Sequence, residues 1–394
     1  MWFFRSPQFV FGEEALLHIR ELRGRHAFVV TDKVVSGHGL LAPVLLQLQH
    51  AGMAATVYDA IEPEPALDAI EAGVAAMTAI EPDWIVAVGG GSVIDAAKAM
   101  WVRFENPELP LESISPLEPI RLREHARMIA VPTTAGTGSE ATWAFVLSIP
   151  ESIDGPARKF GSGHPLAVPD YAIVDPSLSA SMPPRVTADT GMDALTQAIE
   201  GHLATWANDF SDGMCLVATR LVFHYLPRVV VDGQDREARE RMANAAAIGG
   251  LGYINSMVGL AHSMGHALGA ALKISHGRAV GLCLPYVLWY YAGEECGTRC
   301  AEILRFVDVS VGVMEEAAAC RELAVRVRAL AQQIGQPTTL EAAGVVRGDF
   351  DAALPALIEN ALSDTVIFTS PRQPSEDDVR RLFECAWSGA EVNF

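Results

Sequence analysis

The stretch DWIVAVGGGSVIDAAKAMW, from Asp83 to Trp101, decides the fold of the first half of this chain. Its unbroken apolar run up to Val88 predicts a buried strand, and the alanine-rich run after Ser92 predicts a helix. The glycines between them allow a sharp turn that brings backbone N–H groups close to an anion, and the helix N-terminus favours a phosphate there. The stretch completes neither GxGxxG nor GxxxxGK[ST], so a glycine turn without a ligand stays the alternative.

The flanking segments repeat this alternation of strands and helices. Strands are predicted from His26, over Ala54–Tyr58 and over Arg127–Pro132, and helices over Leu40–Gln49 and Ala66–Ala79. Such alternation is typical of βαβ units and a parallel sheet. Two prolines just after Met182 interrupt it, and helical spacing dominates beyond them. We therefore expect an α/β domain over residues 1–182 and an all-helical domain over residues 183–394.

The predicted helices of the second half include a long uncharged segment. They span Thr187–Trp206, Asp212–Tyr225, Asp235–Gly249, Glu315–Gln333 and Glu376–Ser388. From Met242 to Leu272 there is no Asp, Glu, Lys or Arg, and this length could span a bilayer. Its asparagines, serines and histidines would be costly in lipid, whereas a protein interior can satisfy them. We expect buried helices there and no membrane span.

Composition and charge exclude several classes of protein. Half of the 394 residues are apolar and a fifth are charged, which is typical of a globular protein. The net charge of −19 repels a phosphate backbone, so we expect no nucleic-acid partner. Six cysteines are too few for a disulfide scaffold; although Cys296 and Cys300 lie four apart, we expect reduced thiols in a cytoplasmic protein. The N-terminus lacks the apolar core of a secretory signal.

A second donor-rich loop, PTTAGTGSE over Pro132–Glu140, follows a predicted strand directly. Loops at the carboxyl ends of parallel strands bind ligands in open α/β sheets, and two such loops suit a dinucleotide pyrophosphate. Asp32 ends an earlier strand and could accept a hydrogen bond from a ribose 2′-hydroxyl, while it would repel a 2′-phosphate. This favours NAD over NADP, with a helix cap or turn as the alternative role of Asp32.

Three histidines lie within fifteen positions on and after one predicted helix. His262 and His266 share a helical face, and His276 follows that helix. Upstream, Asp193 and Gln197 have the same four-residue spacing. A carboxylate, two imidazoles and one further donor make a divalent-metal site with room for a substrate oxygen, although each histidine alone could be a hydrogen-bonded core residue.

Taken together, these motifs resemble the iron-containing (metal-dependent, group III) alcohol dehydrogenase family. The resemblance extends over AIVDP at Ala172–Pro176, MPPRVTADTGMDALTQAIE at Met182–Glu200 and the late Ser370-Pro-Arg372. The residues Met100-Trp101 are most similar to the alcohol dehydrogenase half of bifunctional aldehyde–alcohol dehydrogenases.

The resemblance implies a Rossmann-like, dinucleotide-binding domain over residues 1–182 and a helical metal-binding, catalytic domain over residues 183–394, with the active site in the cleft between them. Carried over by position, the cofactor-binding residues are Asp32, Gly90, Gly91, Ser92, Asp95, Thr133, Thr134, Thr137 and Lys159. The metal ligands are Asp193, Gln197, His262 and His276, and the catalytic residue beside the nicotinamide is His266.

One ligand position differs from the usual family pattern. Four residues after the aspartate, the family usually has a histidine, whereas this chain has Gln197. An amide oxygen is neutral, as imidazole is, but it is a harder and weaker donor, so iron(II) or zinc should be held less tightly. Three alternatives follow: the metal is bound through Gln197, water replaces Gln197, or no functional metal is present. Relatives that act on maleylacetate work without metal, which keeps the third alternative open.

The resemblance implies reversible, NAD(H)-dependent oxidation of a primary alcohol to an aldehyde, assisted by a divalent metal, with Fe²⁺ favoured and Zn²⁺ as the alternative. It also implies a homodimer or larger homo-oligomer with a small-molecule substrate. The alternatives are a metal-independent reductase, a non-catalytic NAD-binding relative and, least favoured, a lyase like dehydroquinate synthase, which needs a basic pocket. Apolar side chains are expected to line the substrate pocket: Trp143, Phe145, Ile254 and Val366.

Overall fold

The computed structural model describes residues 3–63, 65–149, 158–293 and 296–394, without the side chains of residues 148, 149, 158–160 and 293. The chain divides into two compact units, Met1–Ser181 and Met182–Phe394. The first unit is built on a sheet and the second from helices, which confirms the predicted fold class.

The first unit is built on a six-stranded parallel sheet. In spatial order its strands are β1 (Gln8–Phe11), β8 (Tyr171–Val174), β5 (Arg127–Pro132), β4 (Trp84–Gly89), β2 (His26–Asp32) and β3 (Ala54–Ile61). Every residue of β4 is buried. A strand that is covered on both faces consists of a continuous run of apolar residues. The apolar run after Asp83 therefore predicted β4.

Helices and short helical turns cover both faces of this sheet. The helices are α1 (Lys33–Gly37), α2 (Ala42–His50), α3 (Leu67–Ile80) and α4 (Gly91–Glu105). Within β2, Phe28 and Val30 belong to the apolar cluster that contains α4, whereas Ala27 and Val29 belong to the cluster that contains α2. Because side chains alternate along a strand, one strand contributes to both clusters.

Some strands were missed by the sequence analysis. The outer strand β1 and its neighbour β8 have only four residues each, which is too short for a clear pattern. A separate antiparallel pair, β6 (Ala144–Ile149) and β7 (Arg158–Gly163), was also missed, because β7 reads RKFGSG and lacks an apolar alternation.

The order of the strands creates a topological switch point beside β4. The chain runs from β2 outward to β3 on one side, and from β4 to β5 on the other. Loops that leave two adjacent strands in opposite directions open a crevice at their carboxyl ends, where open α/β sheets bind ligands. Asp32 at the end of β2 and the glycines after β4 therefore flank this crevice.

The Lys98 side chain holds the loop after β5 against α4. It is fully buried and its Nζ donates to Ser139 O at 2.7 Å, Thr142 Oγ1 at 2.8 Å and Ala144 O at 2.8 Å. Burial lowers the pKa of Lys98 to about 8, although Asp95 and Glu140 favour its charged form. Asp95 completes the network, since it accepts from Ser139 Oγ and from Val146 N at 3.0 Å.

The second unit contains α5 (Pro184–Leu203), α6 (Asp209–Val231), α7 (Arg236–Ile254), α8 (Leu260–Leu272), α9 (His276–Tyr290), α10 (Gly297–Val307), α11 (Glu316–Gln333), α12 (Arg347–Ser363) and α13 (Glu376–Ser388). Helix α5 lies at its centre, with buried side chains along nearly its whole length. The uncharged stretch from Met242 to Leu272 forms most of α7, the connection after it and all of α8, and both helices are largely buried.

In the described part of the chain, α6 is long and apolar enough to cross a membrane, judged by length and composition alone. The exposed charges of Arg220 and Arg228 interrupt it, and its buried residues pack against α5 and α7. These contacts account for the buried part of α6, which is 33% of its most apolar stretch.

We predict that Lys98→Met lowers the free energy of unfolding of the first unit by about 3–5 kcal/mol, because it removes the cation of a buried charge network. Urea unfolding measures this change. The matched control is Lys33→Met at an exposed position, which should change stability by less than about 0.5 kcal/mol. Equal unfolding midpoints for the two variants would contradict the role given to Lys98.

Candidate metal and nucleotide sites

A stripe of polar side chains runs along the buried helix α5. Asp189, Asp193, Gln197 and Glu200 recur at spacings of three or four residues, and each is at most 9% exposed. Residues at this spacing share one helical face. Since buried polar groups need partners, this face must meet donors or cations from neighbouring elements.

Two histidines meet this face at Asp193. Its Oδ1 lies 3.4 Å from His276 Nε2 and 3.7 Å from His262 Nε2. One ligand atom from each of the three residues lies within 4.8 Å of the others. Tetrahedral ligands at about 2.1 Å from a divalent ion stand about 3.4 Å apart, so these three side chains are at metal-ligand spacing.

Gln197 provides the orphaned buried atom of this site. Its Nε2 donates to Asp193 Oδ1 at 3.1 Å, and its Oε1 is buried without a hydrogen-bond partner among the described residues. A buried acceptor without a donor is costly, and a metal ion would satisfy it. The carboxylate, the two imidazoles and this amide oxygen therefore fit a divalent cation.

Glu200 holds His262 in place. It accepts from His262 Nδ1 at 2.5 Å and from Ala261 N at 2.6 Å, at the start of α8. Because Nδ1 donates to Glu200, Nε2 is the atom that faces Asp193. A carboxylate behind a histidine fixes the ring and raises its basicity as a ligand.

The charges and hydrogen bonds of this cluster outweigh the effect of burial on the pKa values of His262 and Asp193. Burial favours neutral His262, but hydrogen bonds to Asp193 and Glu200 prevail and raise the pKa of His262 to about 9. Burial likewise favours neutral Asp193, yet the charge of His276 and the hydrogen bond of His262 hold the pKa of Asp193 well below its usual range. The apolar interior thus contains an anionic carboxylate that needs a cation beside it.

Asp189 lies one helical turn before Asp193 on α5 and holds the segment that contains His276. It accepts from Ser275 Oγ at 2.8 Å and from Arg278 Nη2 at 3.0 Å, on either side of His276. A Cβ on Gly277 would lie 2.2 Å from the backbone oxygen of Asp189, so only glycine allows α9 to begin this close to α5. His276 itself remains 31% exposed at its side chain, which leaves the site open on one side.

His266 lies beside this cluster and has its own partner. Its ring stacks on that of His276, with centroids 5.3 Å apart, and its Nδ1 lies 2.6 Å from Asp364 Oδ2. Burial favours neutral Asp364, but the His266 hydrogen bond outweighs it and lowers the pKa of Asp364. The anionic Asp364 therefore accepts from Nδ1, and this hydrogen bond fixes the orientation of the His266 ring.

In the first unit, the structure brings the two glycine- and threonine-rich loops together. A Cβ on Gly91 would lie 2.6 Å from Thr137 Cγ2, and one on Gly90 would lie 3.4 Å from Thr134 Cγ2. Thr133 N donates to Gly89 O at 3.0 Å and links the two adjacent strand ends. Among the residues that the structure describes, no side chain caps α4 at its N-cap, Gly90, so its first N–H groups can serve an anion. Ser92 is in the first turn of α4.

Two predicted cofactor residues make internal contacts in the structure. Asp32 Oδ1 caps α1 by accepting from Val35 N at 2.8 Å, which is the alternative role named above. Asp95 binds Ser139 and Val146, so its carboxylate holds the two loops together. Lys159 lies in β7, and its side chain lies outside the described part of the chain.

Sequence reasoning missed the carboxylates Asp189, Glu200 and Asp364. The polar stripe of α5, at helical spacing among buried apolar residues, was a signal for the first two. Nothing local marked Asp364, which is 98 residues from His266. The expected pocket residue Phe145 is fully buried in the core of the first unit, where it packs beside the sheet, and we correct that expectation.

Comparisons with known proteins identify the family of this chain. The family model "Iron-containing alcohol dehydrogenase" matches residues 6–176, and "Fe-containing alcohol dehydrogenase family, C-terminal" matches residues 187–387. The chain is 34% identical over 387 residues to the NADPH-dependent butanol dehydrogenase of Clostridium saccharobutylicum, covering 98% of this chain and 97% of that one. It is 33% identical to the bifunctional aldehyde-alcohol dehydrogenase AdhE of Escherichia coli, covering 93% of this chain and 43% of that protein.

A solved structure extends this similarity to the fold. The alcohol dehydrogenase from Oenococcus oeni superposes with a TM-score of 0.90 at 29% identity, covering 98% of this chain and all of that one.

Substitutions of Gln197 test the metal site directly. We predict that Gln197→His raises the affinity for Fe²⁺ by about 10- to 100-fold, and that Gln197→Met, of similar shape but without the amide, lowers it to a similar extent. Calorimetric titration of metal-free protein measures both. Native affinity in Gln197→Met would mean that Gln197 is not a ligand.

Proposed function

Because the chain belongs to the iron-containing alcohol dehydrogenase family, we propose that it interconverts a primary alcohol and its aldehyde with NAD(H) as the hydride carrier. The observation that carries this proposal is the group formed by the buried Asp193 and His262 and the half-buried His276, with the Oε1 of Gln197, which has no partner among the described residues, beside it. Residues 1–182 would bind the dinucleotide, and residues 183–394 would bind the metal and carry catalysis.

Asp193, Gln197, His262 and His276 would hold the divalent ion, with Fe²⁺ favoured and Zn²⁺ as the alternative for this mixed nitrogen and oxygen set. When bound, the ion supplies Lewis acidity at the substrate oxygen, and the nicotinamide supplies or accepts the hydride. Glu200 orients His262, and Asp189 anchors the start of α9, so the ligand atoms are set before the ion binds.

His266 would carry the proton of the reaction. His266 Nδ1 lies 2.6 Å from Asp364 Oδ2 and would donate its proton to that carboxylate. The other ring nitrogen, Nε2, would accept a proton when an alcohol is oxidised and return it when an aldehyde is reduced. We assign it no role as a ligand, because its ring is fixed by Asp364 and stacks on His276.

The crevice between the ends of β2 and β4 is the proposed site of the pyrophosphate. Gly90, Gly91 and Ser92 would offer N–H groups from the start of α4, and Thr134 and Thr137 would contact the cofactor from the neighbouring loop, with Thr133 and Lys159 beside them. Asp95 would position that loop. We propose NAD(H) over the NADPH named for the Clostridium saccharobutylicum relative, because the Asp32 carboxylate would repel a 2′-phosphate.

The relatives' names support a small alcohol or aldehyde as substrate, since butanol is named for one and alcohols for the others. We further propose a cytoplasmic homodimer or larger homo-oligomer. The net charge of −19 argues against a nucleic-acid partner.

Oxidation of NADH and of NADPH by a panel of short aldehydes, before and after chelation, tests the function. We expect NADH-linked turnover that chelation removes and Fe²⁺ or Zn²⁺ restores. His262→Ala should lower turnover by about 1,000-fold, since Lewis-acid stabilisation supplies several kcal/mol. The matched control is His224→Ala at an exposed position of α6, which should retain native turnover.

Each result that contradicts the proposed function indicates a different alternative function. Unchanged turnover after chelation and in His262→Ala would indicate a metal-independent reductase of the same fold. NAD binding without turnover on any aldehyde would indicate a non-catalytic relative, and turnover that requires a phosphorylated substrate would indicate the lyase.

A further inference from the structure

A second cluster of metal-binding side chains lies in the helical unit, and the proposed reaction does not use it. Cys296 is the N-cap residue of α10, Cys300 lies one turn later in the same helix, and Cys320 lies in α11. All three thiols are buried, at 5%, 0% and 0% exposed, and their sulfur atoms lie within 4.8 Å of one another.

The packing of two helix ends brings these thiols together. A Cβ on Gly297 would lie 2.5 Å from the backbone carbonyl oxygen of Glu316, so the first turns of α10 and α11 are in close contact there. Cys296 itself lies at the N-terminus of α10. Helix N-termini stabilise thiolates, which are the form of cysteine that binds metal.

The spacing of the sulfur atoms suits a metal ion better than a disulfide. Cys296 Sγ and Cys320 Sγ are 3.8 Å apart. Two thiolates at about 2.3 Å from one tetrahedral ion stand about 3.8 Å apart, whereas a disulfide requires about 2.05 Å. Metal binding therefore needs little movement, while oxidation would need the sulfurs to approach and an oxidant to enter a buried site.

The thiols of the cluster contact one another and a backbone oxygen. Cys296 Sγ lies beside Cys320 Sγ and donates to Tyr291 O at 3.3 Å, at the edge of the cluster. By contrast, Cys215 and Cys283 are buried thiols that belong to no such group among the described residues.

We propose that Cys296, Cys300 and Cys320 form a three-thiolate site for a soft or borderline d¹⁰ metal ion of the Zn²⁺ class, separate from the histidine site. Binding releases each thiol proton to solvent, and water or a backbone oxygen completes the coordination. The ion joins the first turns of α10 and α11, so the site is structural.

Cadmium is the probe, because cadmium–thiolate bonds absorb in the ultraviolet and the histidine site contains no sulfur. Full-length protein is freed of metal under reducing, anaerobic conditions and titrated with Cd²⁺. We expect the charge-transfer band to grow to a plateau in the native protein and in Cys385→Ser, a control cysteine outside the cluster. Zn²⁺ should compete for the same site and reduce the band.

Cys296→Ser is the informative variant, because serine is a favourable N-cap and should let α10 form. We expect this variant to need more than about 100-fold more Cd²⁺ than the native protein for the same absorbance. Such a loss of metal affinity is larger than the loss caused by removing a residue that only hydrogen-bonds to a ligand. Cys320→Ala provides a second test. An absent band in the native protein, a native band in both variants, or a Cys296–Cys320 disulfide in protein kept from oxidants would overturn the proposal.

Discussion

The burial of Asp193 is the constraint on which the helical unit depends. An anionic carboxylate inside an apolar bundle is costly unless a cation faces it. His262, near the start of α8, and His276, at the start of α9, both face Asp193. Two other carboxylates of α5 hold these helix starts in place: Glu200 binds His262, and Asp189 binds Ser275 beside His276. Helix α5 therefore supplies one proposed ligand, Asp193, and the carboxylates that hold the two proposed histidine ligands in place.

The first unit, which contains the parallel sheet, is organised by its strand order. Its parallel strands end at one edge, and the reversal of strand order between β2 and β4 opens a crevice there. The buried Lys98 ties the second loop to α4 by hydrogen bonds to backbone and side-chain oxygens. The two loops are thus held together by hydrogen bonds from Lys98 and to Asp95, both of α4.

Much of this architecture could be predicted because its signals are local. The strand over Arg127–Pro132 and the helix over Glu376–Ser388 begin and end where the sequence analysis placed them, since their periodicity and flanking residues are clear. The four-residue β1 and the β6–β7 pair could not be found, because short or glycine-containing strands carry no pattern. For the sites, Asp193, His262 and His276 share one cluster, whereas the pairing of His266 with Asp364 depends on tertiary packing alone.

X-ray absorption of iron-loaded protein tests the central claim most directly. The account predicts one iron per chain in a shell of nitrogen and oxygen that includes two imidazoles, with loss of one imidazole when His276 is replaced by alanine. Sulfur in the iron shell, or an iron shell unchanged by that replacement, would contradict the assignment of the ion to Asp193 and its histidines.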